Sequence, residues 1–382
     1  MALRADPTLL TELEEFGAGD MKACFNCGSC TAVCPLSEGD TAFPRRMIRY
    51  AQLGQRDQLT SHLEPWLCYY CGDCSDTCPR EAEPGETMMS LRRWLTSKYD
   101  FTGISRLFYR SWKFEVSAVL LMALVTALGF LIVGFSTGSI DHYDGPQAFL
   151  HSSGVHIFDW SMASVLLILL LTNSARMWWF TMGRDKTVRP SIGAYIRQAY
   201  QLPLHFMTQK RYGECARKRP WVIHLILVLS YITMLVLIMF FLADMASGPS
   251  IDWRVHVFGI PAALGLLGTV AFAMRGRLKR QEAQYKHSHE SDWIFLVLLF
   301  YVASTGILQF ILHRTGLDVA ANITYVAHLM GVVPMLVLEV PFSKWSHLAY
   351  RPLAMYFTEV RADTAEARQK IASKPASEPQ AG

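Results

Sequence analysis

Eight of the nine cysteines in this 382-residue chain stand in one pattern written twice. Cys24, Cys27, Cys30 and Cys34 are followed by Pro35, and Cys68, Cys71, Cys74 and Cys78 by Pro79. C-x2-C-x2-C-x3-C-P is the spacing that holds [4Fe–4S] clusters, with the fourth cysteine of each run serving the other cluster. A cubane needs four thiolates converging on one small object, three from a tight loop and one from a distance. The pattern assigns Cys24, Cys27, Cys30 and Cys78 to one cluster, and Cys68, Cys71, Cys74 and Cys34 to the other. A fold that obeys it must bring the two runs together. Structural zinc, the competing reading, takes four ligands, usually as two separated pairs. Four cysteines within eleven residues, closed by proline, fit it poorly. Extracellular disulfides fit worse, because the N-terminus shows no apolar export segment.

The rest of the chain is of another kind. Residues 1–110 are polar and charged, whereas 114–345 is mostly long apolar runs. Six runs approach the roughly 20 residues that a helix needs to cross a bilayer. They are Phe114–Phe135, Phe158–Phe180, Trp221–Ala243, Val255–Met274, Trp293–Leu312 and Asn322–Phe342. Backbone groups in lipid must be satisfied internally, so these runs are helices. A formal charge of +4 says little, but its placement is informative. Lysines and arginines crowd 181–219 and 275–286, and 136–157 has none. The positive-inside rule then puts both termini and the cysteine region in the cytoplasm of a multi-pass protein of the cytoplasmic membrane. That topology explains the basic loops with no nucleic-acid partner, only membrane lipid.

Within 181–219, Tyr195, Ala199, Leu202 and Phe206 space a helix lying on the membrane surface, broken or kinked at Pro203. Aromatic and basic residues through 99–113 mark the junction with the headgroups. Around the cysteines, Leu9, Leu10, Leu13 and Phe16, then Met47, Ile48 and Ala51, then Thr87–Tyr99 all repeat at helical steps. The expected fold class is all-α: an α-helical cluster domain over 1–98, the 99–113 junction, a six-helix transmembrane bundle of cytochrome b type over 114–350, and a 351–382 cytoplasmic tail, disordered at its end. A core this small needs staples, which two clusters supply.

Histidine inside a membrane is costly and by default functional. His224 stands near the inner start of the third run, His256 at the outer start of the fourth, and His328 in the outer third of the sixth. His347 lies just past the sixth run's inner end, and His156 near the outer start of the second. Facing helices can supply axial imidazoles to haem. His328 and His347 are 19 residues apart, so one helix could serve a haem near each surface. Pro334 and Pro341 between them could reset the angle. His224 is the natural partner of His347, whereas His256, His156 or Met234 could complete the outer site with His328. Glu339 and Asp159 are carboxyls within apolar runs, and with His156 they are acid–base candidates for quinone chemistry. Cys215 reads as a lone inert thiol.

The stretches CFNCGSCTAVCP and WLCYYCGDCSDTCPREAEPGETMMSLRRW resemble HdrC, the iron–sulfur subunit of heterodisulfide reductase. The membrane half is similar to HdrE-type cytochromes b and to the gamma subunit of respiratory nitrate reductase, whose last helix resembles YVAHLMGVVPMLVLEVPFSKWSHLAYRP. The fusion of the two resembles the QmoC family of quinone-interacting membrane-bound oxidoreductases (Qmo). That resemblance implies two [4Fe–4S] clusters, one or two haems b on His224, His328 and His347, and a quinone, menaquinone or ubiquinone. Met234 stands where the family has a further histidine. The resemblance also implies soluble HdrA-like flavin and iron–sulfur partners and electron exchange with adenylylsulfate reductase. With no G-x-G-x-x-G in the chain, hydride chemistry falls to a partner. Two alternatives are a membrane subunit of a heterodisulfide-reductase-like or sulfite-reduction complex, and a membrane anchor or transporter with structural clusters.

Overall fold

The computed structural model describes residues 4–37, 41–136, 153–184, 189–214, 217–246 and 252–372. All regular structure among them is helical, as the apolar periodicities predict. Cys215 and residues 373–382 lie outside the described residues, as does the side chain of His156.

Around the cysteines, short helices close on a small core. Leu9–Glu14 buries Leu9 and Leu13, and Arg45–Gln52 buries Met47, Ile48 and Ala51. Pro84–Tyr99 starts with proline in its first turn, where a missing N–H costs nothing. Its 16 residues bury Met88, Leu91, Trp94, Leu95 and Tyr99 against both.

Six helices are long and apolar enough to cross a membrane: Trp112–Ile132, Ile157–Gly183, Lys218–Phe241, Trp253–Lys279, Glu290–Arg314 and Asp318–Phe342. We call them spans one to six. In span two only 6% of the apolar window is buried inside the protein, and Leu120, Leu121, Ile132, Leu167 and Ile168 are largely exposed. Apolar side chains facing outward on so many helices suit lipid and not water. Span six is the most enclosed, at 39%.

The structure alters three expectations. His328 and His347 do not share one helix. A π-turn at Met335–Glu339 follows Pro334, and after Pro341 the chain leaves the helix at Ser343 (φ −122°, ψ −149°). His347 then opens a new helix, His347–Ala372. That helix carries on through the section expected as a tail, to Ala372, and its Tyr350, with Ala354, Met355 and Phe357 of that section, completes the cysteine region's core. In the loop after span two, the helix breaks between Gln198 and Gln201, before Pro203, which sits in the first turn of the next helix, Gln201–Thr208. Basic loop residues meet acids of the cysteine region and the last helix: Lys286 with Glu83 (3.2 Å), Arg217 with Asp73 (3.4 Å) and Arg211 with Glu359 (2.7 Å). Both basic loops therefore lie on the cysteine side of the bundle.

One ion-pair network fastens the first helix. Glu12 meets Arg56 (2.6 Å) and Lys98 (2.8 Å) and accepts from Trp94 Nε1 (3.1 Å). Burial alone would raise the Glu12 carboxyl, but its bonds to Arg56 and Lys98 outweigh that and hold it at about 2. A pKa depressed by folding contributes stability above the unfolded value, and that contribution disappears as pH falls through the folded one. Replacing Glu12 with Gln should therefore lower stability at pH 7 by about 1 kcal/mol, allowing for solvent screening. In thermal melts of the detergent-solubilised chain, the gap between wild type and variant should close as pH falls from about 4.5 toward 2.

Candidate functional site

The two cysteine runs adopt the same local structure. Asn26 (φ 59°) and Tyr70 (φ 56°) take left-handed backbone at matching places, as do Gly28 (φ 96°) and Gly72 (φ 92°). The turns direct backbone N–H groups at sulfur, Asn26 N to Cys24 Sγ (3.4 Å) and Tyr70 N to Cys68 Sγ (3.3 Å). Each run then closes in a four-residue helix, Ser29–Ala32 and Asp73–Asp76, and the two helices pack together.

Cys34 leaves its own run and lines a cavity with Cys68, Cys71 and Cys74, the placement that an exchange of fourth ligands requires. Burial, then the nearby thiols of Cys68, Cys71 and Cys34, pushes the Cys74 thiol up. Protons are hard to remove there unless iron replaces them. Among the described residues no three His, Cys, Asp or Glu side chains close on a single-ion position. Each run has one buried cysteine, Cys30 and Cys68, but only the first run has an exposed one, Cys27, next to the exposed Phe25.

Beyond Cys68 the chain reaches a second cleft. Tyr69 lines both the cysteine cavity and this cleft, which holds His224, His347, His205, Gln209 and Arg351. The His224 and His347 ring centres are 6.4 Å apart. Imidazole–metal bonds of about 2 Å place two axial rings on one iron about 6 Å apart. His224 Nδ1 donates to Gln209 Oε1 (2.7 Å), and His347 Nδ1 to the Lys344 carbonyl (2.6 Å). An oxygen acceptor on Nδ1 leaves Nε2 with its lone pair, as a ligating histidine requires. Burial pushes the His347 imidazole well below its usual range, which keeps it neutral. Arg351 stacks on Tyr69 (4.0 Å), and its Nη2 is buried with no hydrogen-bond partner. A carboxylate at the edge of a haem would satisfy that nitrogen, so the residues present fit the group. Tyr69 also stacks on Tyr212 (4.7 Å), whose ring meets His224 at 5.9 Å.

At the far end of the bundle the histidines separate. Thr305 donates its one proton to the Tyr301 carbonyl (2.8 Å), so it accepts from His328 Nδ1 (3.1 Å), and again Nε2 is left open. Gly306 lets this ring lie close, since a Cβ there would sit 3.1 Å from His328 Cε1. His256 donates from Nδ1 to the Asp252 carbonyl (2.8 Å) and accepts at Nε2 from Arg314 (3.0 Å). Both its nitrogens are engaged, which leaves none for iron. Asp159 is within electrostatic reach of Tyr325, which stands one turn before His328, and the Phe130 ring meets Tyr325 at 6.4 Å. Met234 is partly buried on span three. Glu339 is fully buried near the cysteine side, next to Glu115. Tyr69, Gln209, Arg351, His205 and Glu115 are contributors that sequence reasoning did not single out. Of these, Tyr69 alone carried a signal, by standing inside the second cysteine run.

Comparison with known proteins addresses the cysteine region. The family described as "4Fe-4S dicluster domain" matches residues 20–82. A protein of Archaeoglobus profundus named as similar to the C chain of heterodisulfide reductase is 35% identical over 88 residues, which is 23% of this chain and 47% of that protein. The corresponding component of the H(2):CoB-CoM heterodisulfide,ferredoxin reductase of Methanothermobacter thermautotrophicus is 31% identical over 78 residues, 20% of this chain and 42% of the relative. An iron–sulfur subunit of the same type, from the CoB–CoM heterodisulfide reductase of Methanocaldococcus jannaschii, is 35% identical over 78 residues, 20% of this chain and 41% of the relative. The chain thus spans less than half the length of these curated relatives. No solved structure matches. The N-terminal region is a 4Fe–4S dicluster domain homologous to HdrC of heterodisulfide reductase. Replacing Cys34 with Ser should therefore damage the cluster of the Cys68–Cys74 run and spare that of its own run. EPR of the reduced protein distinguishes the two, and loss of the other signal would refute the exchange.

Proposed function

We propose that this chain, a dicluster domain joined to six membrane-length helices, is the membrane electron-transfer subunit of a quinone-linked oxidoreductase. Electrons pass between a quinone in the bilayer, haem b in the bundle and the two [4Fe–4S] clusters. From there they pass to or from soluble flavin and iron–sulfur partners of the heterodisulfide-reductase kind. Tyr69, which lines both the cysteine cavity and the histidine cleft, carries the reading, because it makes the two sites neighbours. The first run, with its exposed Cys27, is the face toward soluble partners. In line with the resemblance of the whole chain, those partners serve sulfur metabolism and adenylylsulfate reductase, with the dicluster domain and both termini in the cytoplasm.

His224 and His347 would hold the haem through Nε2, with Gln209 and the Lys344 carbonyl fixing the rings and Arg351 binding a propionate. Bound there, the haem supplies one-electron transfer. At the far end His328 offers one further imidazole, and Met234 remains the candidate to complete that site. His224→Ala and His347→Ala should each abolish the same b-type absorbance band and leave the cluster EPR signals in place. Loss of two different bands, or of none, would sink the pairing.

The quinone site is proposed at the far end, where Asp159 is within electrostatic reach of Tyr325, one turn from His328. A quinol releases two protons with two electrons, so its site needs a proton acceptor within hydrogen-bond reach. His156, in the same helix as Asp159, is the neighbouring candidate. Asp159→Asn should slow haem reduction by a soluble quinol analogue about 100-fold, the low end of what a positioned base contributes. Stopped-flow absorbance reads the rate. An unchanged rate, with slowing only in Glu339→Gln, would move the site to the cysteine side.

A further inference from the structure

Glu115 of span one and Glu339 of span six are both completely buried and lie next to one another. Their settings differ. Glu115 accepts two short hydrogen bonds, from Ser343 Oγ (2.5 Å) at Oε1 and from Ser291 Oγ (2.7 Å) at Oε2. Neither oxygen of Glu339 has a hydrogen-bond partner at normal geometry. Around the pair the packing is apolar, with Phe108, Leu338 and Phe342 in one cluster.

Among the described residues, the nearby cations are engaged elsewhere. Lys344 is bonded to Asp292 (2.6 Å), and Arg277 faces the same carboxylate at 3.5 Å. Arg93 is paired with Glu86 (2.7 Å). Tyr109 is a further titratable group facing the pair, from the helix Ile104–Arg110, and His289 lies beyond it at the start of span five. Two adjacent carboxylates out of water cannot both be charged, so they share a proton. Glu115, which accepts from two hydroxyls, is the better anion. Glu339, which has no donor, is the better acid.

We propose that Glu339 and Glu115 are a proton-exchange site on the dicluster side of the bundle, with Glu339 carrying the proton and Glu115 its charged acceptor. The route to solvent in this proposal runs past Ser291 and Ser343, which are themselves buried. Each is next in sequence to a member of the Asp292–Lys344 ion pair, and the Lys344 side chain is 29% accessible. A second proton that enters from solvent by that route neutralises the Glu115 carboxylate, and its release restores the anion, so the pair alternates between one proton and two. Its use in quinone chemistry rests on the proposed function, but its existence depends only on side chains of this chain.

Infrared spectroscopy of the detergent-solubilised full chain tests this through the carbonyl stretch of a protonated carboxyl, in H2O and in D2O. At neutral pH the wild type should show such a band, and the band should shift in D2O. Glu339→Gln should abolish it. Glu115→Gln should keep it at a shifted frequency, because the proton's acceptor has changed. A band that survives Glu339→Gln unchanged overturns the assignment. So does a wild type without the band, or a band that D2O leaves in place, which would mark a sealed structural pair. The wild-type measurements decide even where a variant fails to fold. Because no quinone is present, failure here and failure of the quinol assay are separate results.

Discussion

Trp66, Tyr99 and Tyr350 meet in a buried aromatic group, with Tyr350 at 5.0 Å from Trp66 and 5.3 Å from Tyr99. The three come from the segment before the second cysteine run, the end of the helix Pro84–Tyr99, and the start of the last helix. Phe180 of span two adds a fourth ring at 6.1 Å from Tyr99. Burying each such ring is worth about 1.5–3 kcal/mol, but its position matters more than its energy. Trp66 is two residues before Cys68, and Tyr350 is three after His347. Fastening one to the other sets the distance between Cys68 and His347. The membrane helices and the dicluster domain are thereby one packed unit. Arg176 strengthens the joint by donating to the Tyr99 and Lys98 carbonyls (2.8 and 3.0 Å).

That joint explains why the chain leaves its helix at Ser343. A straight continuation of span six would carry Tyr350 away from Trp66. The π-turn at Met335–Glu339 and the extended Ser343 redirect the backbone, and they present three groups on the way. Glu339 turns inward, Ser343 reaches Glu115, and the Lys344 carbonyl receives the His347 ring. π-turns inside helices are often found at functional sites. Here one irregular segment serves the carboxyl pair and His347 together.

How much could be read in advance follows from the range of each interaction. The cysteine spacing is local chemistry, so the cluster domain was legible, and so was the place of Cys34 beside the second run. The six spans were legible because hydrocarbon thickness demands long apolar runs, and the structure shifts their ends by only a few residues. His224 and His347 were paired by depth alone, and the rings do meet. Contacts that depend on non-local packing stayed hidden. Glu115 sits in the first turn of its helix, where an acid ordinarily faces the helix N-terminus and solvent. Only the turn at Glu339, more than two hundred residues later, makes it half of a pair. Gln209 reads as an ordinary loop residue, yet its left-handed backbone (φ 50°) places its amide on His224. His256 has the depth of a ligand, but Arg314 occupies the nitrogen that ligation would need.

The helix Pro84–Tyr99 shows how one element serves both kinds of chemistry. Consecutive residues on a helix point about 100° apart, and Arg92 and Arg93 use that divergence. Arg92 turns to the cysteine side and donates to the Pro65 carbonyl (2.6 Å) and to the Cys68 carbonyl. Arg93 turns the other way, donates to the Phe16 carbonyl (2.7 Å), pairs with Glu86 and lends positive charge to Asp292. Both are largely or wholly enclosed, so their fields are weakly screened. Arg92 adds positive charge at the second cysteine run, beside Cys68. Arg93 favours Asp292 as the anion that holds Lys344, which leaves the glutamate pair without a counter-ion. Rigid packing of this one helix therefore holds one guanidinium at the second cysteine run and turns the other away from it, toward Asp292.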